Sequence, residues 1–348
     1  MKKSFIKTIL LAAVCMLSLT ACNDDEATTP QQAKQYDMTG FAKGADVSWL
    51  TQMEASGYKF YNASGAEQEC MSLLRDLGMN SVRLRVWVNP TDGWCNKQDV
   101  LVKAWRAKNL GMRVMIDFHY SDSWADPSKQ NIPAAWADYD LDQMKEAVAS
   151  HTKEVLQLLK DNGVDVEWVQ IGNETRTGML WPMGKVSGSD FANFTALVNA
   201  GYDAVKSVYE NALCIIHLDN GHQLNRFTWM FNGLKANNAK YDVIGVSLYP
   251  TDDEWETMTD SCLENLQTLA TTYGKKVMVC ETGMNWESEN AEAMLSKMVK
   301  GCEAISDCLG LFYWEPESYN SWQNYQMGAF DSNGKPTSAL NAFASTTE

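Results

Sequence analysis

Ile171-Gly172-Asn173-Glu174 and, about 100 residues further on, Val279-Cys280-Glu281-Thr282 are runs of strand-type residues, each closing around a glutamate. Outward from them lie six more short apolar runs rich in β-branched and aromatic residues, bounded by turn signals. The full set covers roughly 42–48, 81–88, 113–119, 166–172, 214–219, 243–249, 276–281 and 310–315. Helical patterns fall between them at 66–77, 99–109, 141–161, 190–209, 260–273, 288–305 and, briefly, 337–345. Leu110-Gly111, Asn162-Gly163 and Gly274 supply helix-stop signals. Near-continuous apolar strands alternating with helices predict a parallel sheet covered on its faces. Eight such units predict a single-domain (β/α)8 barrel, in which every strand points the same way. A doubly wound open sheet is the rival, but it leads one to expect a glycine-rich nucleotide loop after an early strand. Here the first strand runs into Asp46-Val47-Ser48-Trp49, and neither a GxGxxG nor a P-loop motif occurs.

In such barrels the chemistry sits at the C-terminal ends of the strands. Those ends carry Asp46 and Ser48; Arg83, Arg85 and Trp87; Asp117-Phe118-His119-Tyr120-Ser121-Asp122; Asn173-Glu174; His217-Leu218-Asp219-Asn220; Ser247-Leu248-Tyr249-Pro250; Glu281; and Trp314-Glu315-Pro316. Loops are polar everywhere, but that does not explain why Arg, His, Glu and Trp gather here. Two carboxyl groups from different strands suit glycoside cleavage. One, protonated, donates to the leaving oxygen; the other, ionised, attacks, and in retaining enzymes they stand about 5–5.5 Å apart. Their environments must push their proton affinities apart. Glu281, flanked by apolar Val279 and Cys280, is consistent with a fixed nucleophile. Arg85 is the arginine expected to hold Glu281 ionised, unless it forms a structural ion pair. Arg83 alternates with it, so one of the two is expected to face the barrel interior and the other outward. Asn173 is placed on the sugar 2-hydroxyl, Tyr249 on the nucleophile and Trp314 beneath the sugar. His119 and His217 are read as sugar ligands, with core histidines as the alternative; His151 is read as a surface residue.

The N-terminus carries Lys2, Lys3 and Lys7, then an apolar stretch from Ile9 to Leu19 that is too short to span a bilayer. Leu19-Thr20-Ala21-Cys22 has the form of a lipobox. Residues 1–21 are therefore expected to be a lipoprotein signal peptide, Cys22 the lipid anchor, 22–38 a flexible tether and 39–348 the catalytic domain; an ordinary cleaved signal is the alternative. The expected location is the outer membrane or cell surface, with the membrane touched only through that anchor. The net charge of −15 disfavours nucleic acid and anionic membrane surfaces. Beyond Cys15 and Cys22 seven cysteines remain, without a C-x-x-C pair. Cys302 with Cys308 and Cys70 with Cys95 are possible disulfides, whereas Cys214 and Cys280 read as buried thiols. No H-x-H or H-E-x-x-H metal pair occurs.

Several segments, in order, resemble glycoside hydrolase family 53, the endo-β-1,4-galactanases of clan A. They include Gly44-Ala45-Asp46-Val47-Ser48, Val82-Arg83-Leu84-Arg85-Val86-Trp87-Val88 and Asp117-Phe118-His119-Tyr120-Ser121-Asp122-Ser123-Trp124-Ala125-Asp126-Pro127. Gln170-Ile171-Gly172-Asn173-Glu174, Gly245-Val246-Ser247-Leu248-Tyr249-Pro250, Glu281-Thr282 and Phe312-Tyr313-Trp314-Glu315-Pro316 continue the match. The resemblance implies a retaining hydrolase of β-1,4-galactan and galacto-oligosaccharides, with Glu174 as acid/base and Glu281 as nucleophile. It implies that Trp87, Trp124 and Trp314 line the cleft. Asp46, Arg85, Trp87, His119, Asp122, Trp124, Asn173, His217, Tyr249 and Trp314 make up the expected substrate-binding set. A monomer without a required cofactor is expected. Some bacterial relatives hold a structural calcium in a late loop; the resemblance leaves room for one here, with its ligands unmapped and the acidic run at 252–256 as an oxygen-ligand source or, more simply, a solvated loop. The acidic run Thr251-Asp252-Asp253-Glu254-Trp255 departs from the family pattern. Rival readings are a mannanase or cellulase on the same scaffold and a surface lipoprotein that binds glycan without cutting it.

Overall fold

The structure, a computed structural model, describes residues 36–344. The signal segment 1–21, Cys22 and most of the tether lie outside the described residues. Eight strands close into a parallel barrel: β1 (Ala42–Asp46), β2 (Ser81–Val86), β3 (Arg113–Phe118), β4 (Trp168–Ile171), β5 (Leu213–Leu218), β6 (Val243–Leu248), β7 (Lys276–Thr282) and β8 (Cys308–Trp314). β8 pairs with β1 and completes the ring. Each predicted strand agrees with an observed one to within about two residues at either end.

The helices are α1 (Leu50–Ala55), α2 (Cys70–Asp76), α3 (Lys97–Asn109), α4 (Leu141–Asp161), α5 (Ala192–Val208), α6 (Leu224–Ala236), α7 (Trp255–Tyr273) and α8 (Ala291–Ala304). Asn96 caps α3 by accepting from the Gln98 and Asp99 amides, and Asp140 with Gln143 forms a capping box on α4. α7 stops where Gly274 turns left-handed at φ 59. The segment 337–345 is a short 3-10 helix, Ser338–Phe343. α6 was not assigned from sequence: Gln223 offers no side-chain cap, and Phe227, Trp229 and Phe231 have modest helix propensity.

The inward faces of the strands explain the location of the site. At their N-terminal ends Ala42, Met115, Trp168, Ile215, Val243, Met278, Cys280 and Phe312 form a closed apolar plug. Two residues further along the same faces come Asp117, Gln170 and His217, all fully buried. The barrel is therefore apolar below and ionic above. A second, larger core fills the space between strands and helices. β7 carries one extra residue: Val246 pairs with Val279 but Ser247 pairs with Glu281. Cys280 already faces inward, so without this bulge Glu281 would point away from the barrel axis.

His151 is not a surface residue. It lies on the apolar stripe of α4 with Met144, Val148 and Val155, packed edge-on against Phe118 and Trp136. All seven described cysteines are free and buried, so neither Cys302–Cys308 nor Cys70–Cys95 is a disulfide.

Candidate active site

Glu174 follows β4 and Glu281 ends β7, and both line one open cleft of about 570 Å³ at the C-terminal face of the barrel. Trp49, His119, Trp124, Asn173, Asp219, Tyr249, Trp314 and Tyr325 complete much of its wall. A larger depression, about 1100 Å³, opens near the strand starts beside Lys108, Arg113 and Lys160, and neither Glu174 nor Glu281 lines it.

Glu281 sits in a fixed frame. Arg83 lies 2.8 Å from Oε1, and the Tyr249 hydroxyl donates to Oε2 at 2.9 Å. The same guanidinium also donates to Asp46, to Asp117 (2.9 Å), to Asn173 Oδ1 (2.9 Å) and, through Nε, to Gln170 (2.6 Å). Burial pushes Glu281 up to about 7; Arg83 pulls against that, while Asp117 and Asp46 add to it.

Glu174 has a different surrounding. Ser247 donates to its Oε1 at 2.7 Å, and His217 Nε2 lies 2.7 Å behind that hydroxyl. Burial and then the Arg83 charge hold His217 well below its ordinary value, so the ring is neutral. Its Nε2 faces the Ser247 hydroxyl, and its Nδ1 lies 2.9 Å from the Gln170 amide nitrogen and 3.0 Å from Asn173 Oδ1. Desolvation, then the charge of Glu281, drives Glu174 well above the ordinary glutamate range. The guanidinium lies against Glu281 and the higher proton affinity belongs to Glu174. The pair therefore holds one proton, on Glu174, with Glu281 the first to ionise. Glu174 and Glu315 both adopt left-handed backbone, φ 45 and 47, a strained conformation for a glutamate.

The aromatic floor is continuous. Trp314 meets Trp49 at 5.0 Å, Trp124 at 5.9 Å and Tyr325 at 4.7 Å between ring centroids. The Arg85 guanidinium lies 4.2 Å from the Trp124 ring centroid.

Six expectations are corrected by these placements. Arg85 pairs with Glu315 at 2.7 Å, not with Glu281; Arg83 takes that position. Arg83 and Arg85 do not face opposite ways, because residues two apart on a strand share a face, and both are buried. Asp46 is fully buried against Arg83 and Ser48 and offers nothing to a ligand. His217 is likewise fully buried and acts through Ser247. Asp122 accepts from the backbone amides of Asn89 and Ala134 and so staples two loops together. Trp87 also stands back from the cleft: its indole donates to His119 Nδ1 and its ring backs Trp124 at 5.2 Å. His119, Trp124, Asn173, Tyr249 and Trp314 do line the cleft. Sequence reading missed Trp49, Ser247 and Tyr325 as site residues; Ser247 and Trp49 lie within the quoted strand-end segments, while Tyr325 reaches the cleft from a loop beyond β8. Trp255, in the acidic run after β6, begins α7, with Lys297 over its ring.

A closed parallel barrel with two glutamates facing one cleft is the arrangement that glycoside hydrolysis needs. The profile of glycosyl hydrolase family 53 matches residues 42–300. The chain belongs to that family. It is 34% identical to the endo-beta-1,4-galactanase of Bacillus subtilis over 308 residues, covering 79% of this chain and 70% of that one. It is 33% identical to the arabinogalactan endo-beta-1,4-galactanase A of Aspergillus niger over 302 residues, 79% and 84% of the respective chains. Among solved structures, a fungal beta-1,4-galactanase superposes with a TM-score of 0.80 at 30% identity, over 88% of this chain and 99% of that one. The family 53 catalytic domain of Ignisphaera aggregans gives 0.78 at 29% identity, over 87% and 95%.

Proposed function

We propose that this protein hydrolyses internal bonds of β-1,4-galactan with retention of configuration. The observation that carries the reading is the pairing of Glu174 and Glu281 across one cleft, with Arg83 on one and Ser247 on the other. The names of the Bacillus and Aspergillus relatives support the substrate. Glu281 attacks the anomeric carbon, and the glycosidic C–O bond breaks as the Glu174 proton passes to the leaving oxygen. Glu174, now ionised, takes a proton from water. The resulting hydroxide oxygen displaces Glu281 from the sugar and restores both groups. Tyr249 fixes the attacking oxygen, one Asn173 amide hydrogen is available for the sugar 2-hydroxyl, and Trp314 with Trp124 offers flat faces to successive rings. The Cys22 lipid anchor and surface location are part of the same proposal, resting on the lipobox alone, as is a monomeric state.

Replacement by glutamine tests the roles. Glu174→Gln and Glu281→Gln are each expected to lower kcat on galactan by at least about a thousandfold, while retardation in galactan-containing native gels persists. Proton NMR of the first product formed by the unaltered enzyme is expected to show the β anomer. Unchanged turnover in both variants, or the α anomer first, refutes the mechanism; turnover on mannan or cellulose in place of galactan refutes the substrate.

A further inference from the structure

The carboxylate of Asp219, just past the end of β5, is buried beside the acid/base and takes no part in the mechanism above. Its Oδ2 accepts from Arg176 at 3.0 Å, from Arg226 at 3.4 Å and from the Asn220 amide. Oδ1 has no partner among the described residues. For each arginine, Asp219 is the carboxylate within ion-pair distance among the described residues. Arg176 lies two residues beyond Glu174, and the Thr175 amide donates to the His217 carbonyl at 2.8 Å. The segment bearing the proton donor is thus laid along the end of β5, and Asp219 and Glu174 line the same cleft.

We propose that Asp219 is a positioning residue for the acid/base: it binds Arg176, two residues beyond Glu174, together with Arg226, balances their charge at the edge of the cleft, and pins the segment on which the donor rides. This deepens the functional reading and rests on it. Every other charged or titratable neighbour of Glu174 is already engaged. Glu281 and Tyr249 form one pair, Arg83 is held by three carboxylates, and His217 is neutral behind Ser247. His222 faces Arg226, Glu254 and Asp219, and Arg226 is hydrogen-bonded to Asp219. Asp219 is one of the groups that raise the proton affinity of Glu174, after burial and Glu281.

Asp219→Asn keeps the shape and leaves two guanidinium groups without a counter-charge. The full-length protein, labelled with 13C at the glutamate carboxyls, is titrated by NMR; the Glu174 resonance is assigned by its loss in Glu174→Gln. The Glu174 midpoint in Asp219→Asn is expected to move toward acid by about one pH unit or more, the effect of an uncompensated neighbouring cation. The alkaline limb of kcat/KM on galactan moves with it. Adding Arg176→Gln to Asp219→Asn is expected to return the midpoint part of the way. Arg226→Gln alone keeps Asp219 and is expected to move it the opposite way, which serves if Asp219→Asn does not fold. A midpoint that stays in place, or activity lost equally at every pH, overturns the proposal. An unaltered enzyme that leaves galactan intact overturns the functional reading instead, and the titration still decides the role of Asp219.

Discussion

Arg83 meets three carboxylates, Asp46, Asp117 and Glu281, with a single guanidinium and is itself buried. An arginine is suited to this because its planar fork offers five donors in fixed directions and stays protonated even when desolvated. Arg83→Lys supplies the charge at one point and strands several of those acceptors. Arg83→Met removes the charge altogether and leaves carboxylates facing one another. Breaking such a buried cluster costs about 3–5 kcal/mol, so urea unfolding of Arg83→Met is expected to show a loss of that order. Glu281 is also expected to bind its proton more tightly, which moves the acid limb of kcat/KM to higher pH in Arg83→Lys as well. A limb that stays in place would mean that Arg83 is merely structural. Arg85, two residues along, is expected to leave that limb unmoved when changed to Lys, since its partner is Glu315.

α4 shows what an amphipathic stripe does to a titratable side chain. Burial drives the His151 imidazole from 6.5 to about 4, and its Nε2 has no partner among the described residues. In the unfolded chain the ring titrates at its ordinary value, so between the two values the unfolded state binds more protons. The stability from this group is fully present above pH 6.5 and is lost as pH falls toward about 4. The sum is about 3 kcal/mol, at 1.36 kcal/mol per pH unit. His151→Phe places an uncharged ring among Phe118, Tyr120 and Trp136. Denaturant unfolding at pH 7 and pH 4.5 is expected to show that this variant loses less stability on acidification than the unaltered protein. Equal losses would remove His151 from the acid response. The stripe was legible in the sequence, since Val148 and Val155 flank His151 at helical spacing. Reading the residue as surface weighed its polarity above its periodicity. The strands were legible for the complementary reason, because runs such as Val82 to Val88 are bounded by turns and long enough to hold one period. What escaped was whatever depends on closure. The extra residue in β7 turns Glu281 inward, and no local pattern announces it. Ser247, Trp49 and Tyr325 share the cleft with the glutamates, at chain separations from which sequence carries no distance. The Arg83 and Arg85 assignment failed differently, through a misapplied strand period.

At the scale of the whole molecule, the barrel divides its interior into an apolar end and an ionic end, and its cysteines are buried throughout, Cys280 and Cys95 beside the ionic end among them. Cys280 and Cys214 sit in the strands, Cys70 and Cys302 on helices against the core, and all seven described thiols are buried. Disulfides close loops and stabilise small exported domains with thin cores. A body of this size has two large apolar cores, so its stability does not require such links. Burial raises the thiols of Cys70, Cys95, Cys214, Cys262 and Cys280 above their ordinary value, so they stay protonated and unreactive at neutral pH. The folded protein without residues 1–35, which carry Cys15 and Cys22, is therefore expected to release almost no thionitrobenzoate from Ellman's reagent, and seven equivalents in guanidinium chloride. Its Tm is expected to be the same with and without dithiothreitol. A count of five in the unfolded chain, together with a Tm that falls in reductant, would reveal one disulfide and overturn the free-thiol core. Cys302 and Cys308 would be the first pair to examine, because their side chains lie next to each other.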